Sequence, residues 1–308
     1  MDNLKIENNL MIKENININI LQKLKLDISK NTCIMNAKDI HYKDLNFAIR
    51  EIVKLIKEIR NSKTDEFYNL KHFKNINEIK IDNVLGQRYI GDGIQEKISI
   101  KINGTPGNDL GAFMDGPEIE VFGNVQDGVG NTMNSGKIIV HGNAGDILGY
   151  SMRGGEIFVR GNVGYRSGIH MKSYLDKFPT IVIGGKAGNF LGEYMAGGII
   201  IVLGIYDLKS LVKNFYLFDD NEVAGNYIGT GMHGGKIFIR GQFSDYKLGK
   251  EIIKLEIDNE DKELLKKYLN KYYEIFKIRK ELQEKINLKD FVKLIPFSKR
   301  PYGKLYAY

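Results

Sequence analysis

The chain has 308 residues, a formal net charge of +7, 34 glycines and one cysteine. That length allows one large domain or two ordinary ones, and a single cysteine excludes a disulfide scaffold, a four-thiolate iron–sulfur cluster and a cysteine-rich zinc site within this chain. Residues 1 to 85 carry 15 Lys+Arg against 12 Asp+Glu, residues 86 to 249 carry 15 against 16, and residues 250 to 308 carry 15 against 10. The neutral middle argues against a nucleic-acid platform. Met1-Asp2-Asn3-Leu4-Lys5 does not open a secretory leader, and no segment holds the roughly 18 uncharged apolar residues of a membrane span. A cytoplasmic protein without a nucleic-acid or membrane partner is the expectation.

In chain order, short apolar runs at Ile18 to Ile28 and Thr32 to Met35 read as strands. Leu45, Ile49, Ile52, Ile56 and Ile59 then share one stripe of a helix beginning near Asp44. Residues 1–83 are accordingly expected to form a small α+β appendage.

Glycine marks the next unit, 84–249, because none precedes Gly86 and only Gly303 lies beyond Gly249. The glycines that end short apolar runs are Gly104, Gly123, Gly142, Gly161, Gly185, Gly204 and Gly241, at spacings of 19, 19, 19, 24, 19 and 37. The 24 is a unit plus five residues near Lys172 to Phe178. The 37 is a unit plus 18 residues inserted between Gly204 and Glu222. Seven residues after the repeat glycine stand Gly111, Gly130, Gly149, Gly168 and Gly192, with Gly229 after the long insertion. A methionine follows each by three residues: Met114, Met133, Met152, Met171, Met195 and Met232. Every apolar run alternates, with Ile100, Ile119, Ile138, Ile157, Ile181, Ile200 and Ile237 in one column and Ile102, Val121, Val140, Val159, Ile183, Val202 and Ile239 in another. Alternation of β-branched residues predicts strands with one face buried. A fixed period predicts that each strand pairs with its copy in the next unit, about 4.8 Å away. The fold expected is mainly β, a parallel β-helix of 19-residue turns. Its isoleucines and valines point inward, the methionines fill the opposite wall, and the glycines take positive φ at the corners. Asn108, Asp127, Asp146, Asn189 and Asn226 read as turn residues bonded to their own backbone. In the tail, 250–308, Leu264, Leu265, Tyr268, Leu269, Tyr272 and Phe276 form a second helical stripe behind acidic Glu260 and Asp261.

The segments Gly104-Thr-Pro-Gly-Asn-Asp-Leu-Gly-Ala-Phe-Met114, Gly123-Asn-Val-Gln-Asp-Gly-Val-Gly130, Gly145-Asp-Ile-Leu-Gly149 and Gly192-Glu-Tyr-Met-Ala-Gly-Gly198 resemble the glycine-repeat (GXGXG) domain that ends the large subunit of glutamate synthase. The likeness is strongest to the archaeal form, in which that domain is a separate protein, and more distant to the C subunit of formylmethanofuran dehydrogenase. It covers Gly86 to Gly241, with Gln87-Arg88-Tyr89-Ile90-Gly91 at the entry. The resemblance implies that the parallel β-helix is a right-handed coil of about seven 19-residue turns, and it implies an architectural role, joining an amidotransferase subunit to a synthase subunit that carries FMN and an iron–sulfur centre. It implies no catalytic, cofactor or metal residue in this chain.

The residues carry little catalytic chemistry of their own. Cys33 sits inside the N-terminal part, where a buried thiol is the ordinary reading. His41, His72, His141, His170 and His233 are scattered, and the last three occupy different columns. A 19-residue coil does not keep the six-residue register of hexapeptide acyltransferases, and the acids fall at turns rather than on one wall as in pectate-lyase-like enzymes. The alternatives are the corresponding scaffold subunit of a formylmethanofuran-dehydrogenase-like or other related amidotransferase complex and, from another class, a stand-alone β-helix enzyme. One pattern asks for a partner: between the inward columns, the outward residues run Lys101, Glu120, Ile139, Phe158, Val182, Ile201 and Phe238. From the third turn onward this stripe is apolar, which calls for cover either by a helix of this chain or by a docked subunit.

Overall fold

A computed structural model describes residues 27–29, 31–62, 74–205, 222–241 and 243–298. The apolar run at 18–28 lies mostly outside them, as do His72 and nearly all of the 205–221 insertion. The elements are β1 (Asp27–Ser29), β2 (Thr32–Asn36), α1 (Tyr42–Asn61), β3 (Glu78–Leu85), β4 (Ser99–Thr105), β5 (Asp115–Phe122), β6 (Ser135–Val140), β7 (Glu156–Val159), β8 (Thr180–Ile183), β9 (Ala196–Val202), β10 (Gly234–Arg240), β11 (Ile252–Glu256), α2 (Asn259–Phe276), α3 (Lys280–Gln283) and β12 (Phe291–Pro296).

All strands join one twelve-stranded sheet in the order β1 to β10, then β12 and β11. Pairing is parallel from β2 through β10. The alternating columns fix the register. Ile100 pairs with Ile119, and the series continues through Ile138, Ile157, Ile181, Ile200 and Ile237, while the valine-rich column stacks two residues further on. Bridges Val125–Ala144, Ala144–Val163, Val163–Ala187 and Ala187–Ala224 build a second wall. The result is a β-solenoid of about six turns, slightly fewer than the seven or so that the resemblance implies. Both inward columns and the six methionines are buried in one core.

The glycine columns have two different causes. Gly149 has φ 67° and faces the isoleucine ladder, where a Cβ would stand 2.6 Å from Ile181 Cδ1. Gly161 has no positive φ, and a Cβ there would lie 2.2 Å from Asn143 Oδ1. Of the strand-ending glycines, Gly123, Gly142, Gly161 and Gly185 therefore answer to close approach of the preceding turn, whereas Gly104, Gly204 and Gly241 do have the positive φ expected of a corner.

The turn acids also differ from expectation: they bond the neighbouring turn rather than their own backbone. Asp127 accepts the Asp146 N–H at 2.8 Å, Asp146 accepts the Tyr165 N–H at 2.8 Å, and Asn189 accepts the Asn226 N–H at 2.8 Å. Asn124, Asn143 and Asn162 form a parallel ladder on Asn143, Asn162 and Lys186. Each side chain thus satisfies a backbone donor that corner geometry removes from the sheet.

The sheet runs past both compositional boundaries, at 83/84 and at 249/250. Cys33 pairs with Ile79 and Ile79 with Ile100, so β2 and β3 continue the inward ladder. α1 lays Leu45, Ile49, Ile52, Ile56 and Ile59 over this end, in the same core as Cys33, Met35 and Ile79. At the other end β12 and β11 add antiparallel strands, two elements absent from the helical reading of the tail.

Candidate functional site

The outward stripe is built by the same register that builds the core. Ile139, Phe158, Val182, Ile201 and Phe238 are direct lateral partners on β6 to β10. All five are buried, in a cluster distinct from the coil interior that also contains Leu265, Tyr268, Leu269, Tyr272 and Phe276 of α2 and Phe291 of β12. An 18-residue helix is about 27 Å long at 1.5 Å per residue, enough to span five strands at about 4.8 Å each. α2 of this chain therefore occupies the stripe, whereas α1 covers the end of the coil.

Polar contacts set the helix in register. Tyr272 Oη donates to the Arg160 carbonyl at 3.0 Å, and burial pushes its phenol well above the ordinary value. Gly184 makes room, since a Cβ there would stand 1.9 Å from that hydroxyl. Tyr268 Oη and Thr180 Oγ1 share a hydrogen bond of 3.0 Å, and Lys271 Nζ meets Glu156 at 2.5 Å.

At the helix start Asp258 and Asp261 form a capping box. The Asp261 carboxylate is wholly buried, held by Lys236 at 2.8 Å and by Lys293. Lys293 also bonds Asp258 at 2.8 Å. That bond, with the Asp261 backbone N–H, holds the Asp258 carboxyl well below the usual carboxylate range. Desolvation lowers the Lys293 pKa, but hydrogen bonds to Asp258 and Asp261 outweigh it and raise it overall. β10 and β12 are thereby bonded to the first turn of α2.

Where the stripe stops being apolar, the cover stops too. Lys101 is held by Glu78 at 2.6 Å, and that hydrogen bond raises its pKa against the opposing effect of burial. Glu120 bonds His141 Nε2 at 2.8 Å, and Phe276, the last helical residue, meets the His141 ring edge-on at 5.3 Å. The other described histidines lie elsewhere: His41 caps α1, His170 stacks on Tyr194, and His233 bonds the Gly231 carbonyl. Among the described residues no group of three His, Cys, Asp or Glu could hold a metal ion, and no helix is long and apolar enough to cross a membrane. The anchors Thr180, Glu156, Lys236 and Lys293 carried no sequence signal, and the doubled Gly184-Gly185, not singled out in the sequence, is the feature that could have shown where something approaches the strand end.

A coil of glycine-cornered turns, filled by stacked isoleucine, valine and methionine and wrapped by its own helix, defines a β-solenoid with a packed interior. The GXGXG motif profile matches residues 46–297, and the chain belongs to that family. An uncharacterized protein of Methanocaldococcus jannaschii is 46% identical over 275 residues, which cover 89% of this chain and 96% of that protein.

Proposed function

We propose that this chain is a non-catalytic structural subunit of a glutamate-synthase-type complex, joining an amidotransferase subunit to a synthase subunit that carries FMN and an iron–sulfur centre. The complex forms two molecules of glutamate from glutamine and 2-oxoglutarate, with two electrons and two protons taken up through the FMN and iron–sulfur centre of the synthase subunit. Membership of the GXGXG family carries the reading. It is supported by the work that the polar residues of the coil already do, since the turn acids and amides hold backbone N–H groups of the next turn. The test is reconstitution. The tagged chain is co-expressed with the two enzyme subunits, and glutamine-dependent glutamate formation is measured with and without it. The expected result is a three-component complex whose coupled activity needs this chain, while the isolated chain is colourless and inactive. Stoichiometric flavin on the isolated chain, or glutaminase turnover abolished by Cys33→Ala, would overturn the reading.

A further inference from the structure

The five-residue addition that breaks the 19-residue period lies between Met171 and β8. There Tyr174 and Lys177 exchange backbone hydrogen bonds of 3.1 and 3.0 Å, closing a tight turn with Leu175 at its tip at φ 55°. The turn is seated on the coil: a Cβ on Gly197 would meet the Ser173 nitrogen at 2.6 Å, and one on Gly154 would meet Lys177 Cβ at 3.0 Å. Its apolar side chains point away from that seat, with Tyr174 54%, Leu175 81% and Phe178 63% exposed. Together they present about 400 Å² of mainly apolar surface.

The rim is rich in lysine, paired and unpaired. Lys177 is paired with Asp115, and Lys271 with Glu156. Lys172 and Lys267 make no ion pair among the described residues. Lys267 sits over the Tyr268 ring, whose hydroxyl bonds Thr180, two residues beyond Phe178. Within the turn itself the acid is Asp176, which makes no ion pair among the described residues.

We infer that the Tyr174–Phe178 turn is a docking knob for a protein partner whose contact surface is apolar at its centre and ringed by carboxylates. Resting on the function proposed above, the partner is one of the two enzyme subunits. Its acids would match Lys172 and Lys267, and its apolar centre would receive Leu175 and Phe178. Buried apolar anchors within a charged rim are the arrangement that dominates binding free energy in such contacts.

The test uses the full-length chain and each purified enzyme subunit, with affinity measured by calorimetry. One variant carries Tyr174→Ser, Leu175→Asn and Phe178→Ser, and a second carries Lys172→Glu and Lys267→Glu. Both should melt like the parent, because the altered side chains are exposed, while affinity for one subunit falls at least about ten-fold. Parent and variants binding that subunit equally would overturn the inference and leave the proposed function standing. A parent that sediments as a dimer, with the triple variant monomeric, would also overturn it, since the knob would then serve a second copy. A parent that binds neither subunit removes the proposed function and, with it, this inference.

Discussion

At Gly149 two demands fall on one residue. The backbone is left-handed there, and the neighbouring Ile181 methyl fills the space a side chain would take. Gly149→Ala should therefore lose both a conformational contribution and a packing one, about 2–4 kcal/mol together. Gly93 is the control, because it has φ 64° but open space around it, so Gly93→Ala should cost only about 1 kcal/mol. Chemical denaturation of the two variants checks the contrast, and equal losses would mean that the isoleucine ladder does not reach across the coil. Such glycines were legible because identical residues recurring at a fixed period point to one backbone constraint repeated in every turn. The bulky residues beside them were not. Phe190, Tyr194 and Tyr227 also have positive φ, and no residue type announces that. Their conformation follows from the corner that the glycines fix and is supported by contact between turns, with Phe190 stacked on Tyr227 at 4.8 Å and on the Arg166 guanidinium.

Among the elements, α2 depends most on residues distant in sequence. Its apolar face and acidic start could be read from residues 260–276, and the stripe on β6 to β10 called for a cover. Which helix would supply it was not legible, because amphipathic periodicity describes a face and not its destination. If α2 and the stripe form one packing unit, replacing Phe158, Ile201 and Phe238 together by serine should destabilise the chain by several kcal/mol. The helical signal and the thermal transition should fall together. Loss of helix alone would mean that the coil stands without its cover. The capping box adds a pH dependence with a definite sign. Asp258 has a depressed pKa in the folded state, so its contribution is complete above the ordinary carboxylate value of about 4 and fades as pH falls through the lower folded value. Lys293 behaves oppositely: its contribution is complete below about pH 10.4 and fades as pH rises beyond it. Melting temperature followed from pH 7 down to pH 2 should drop in the parent, and Asp258→Asn should start lower and show a shallower drop.

The whole molecule is a stack in which each turn touches chiefly the turns above and below it. Its two ends and its covered wall are separate problems with separate solutions: α1 over β2 and β3, antiparallel β12 and β11 beyond β10, and α2 along the stripe. A stack with a fixed 19-residue register tolerates loss of a complete turn but not of a turn short by one residue. The turn 104–122 tests this cleanly, because its outward residue is Glu120 and the apolar stripe begins only at Ile139 on the next strand. Deleting residues 104–122 joins Asn103 to Gly123, leaves every column in phase, brings Ile100 against Ile138 and Ile102 against Val140, and spares the surface beneath α2. That variant should fold with a parallel-sheet spectrum close to the parent's and a single, lower melting transition, losing the Glu120–His141 contact and one turn of stacking. Deleting only 105–122 removes 18 residues, so one residue too many remains between β4 and the next corner. With a side-chain period of two, a one-residue slip sends an inward column outward. Circular dichroism and gel filtration of the two deletions, which differ by one residue, should therefore give a folded monomer in the first case and a misfolded or aggregated chain in the second. Equal behaviour would show that the coil is held by its flanking helices rather than by the register of its ladders.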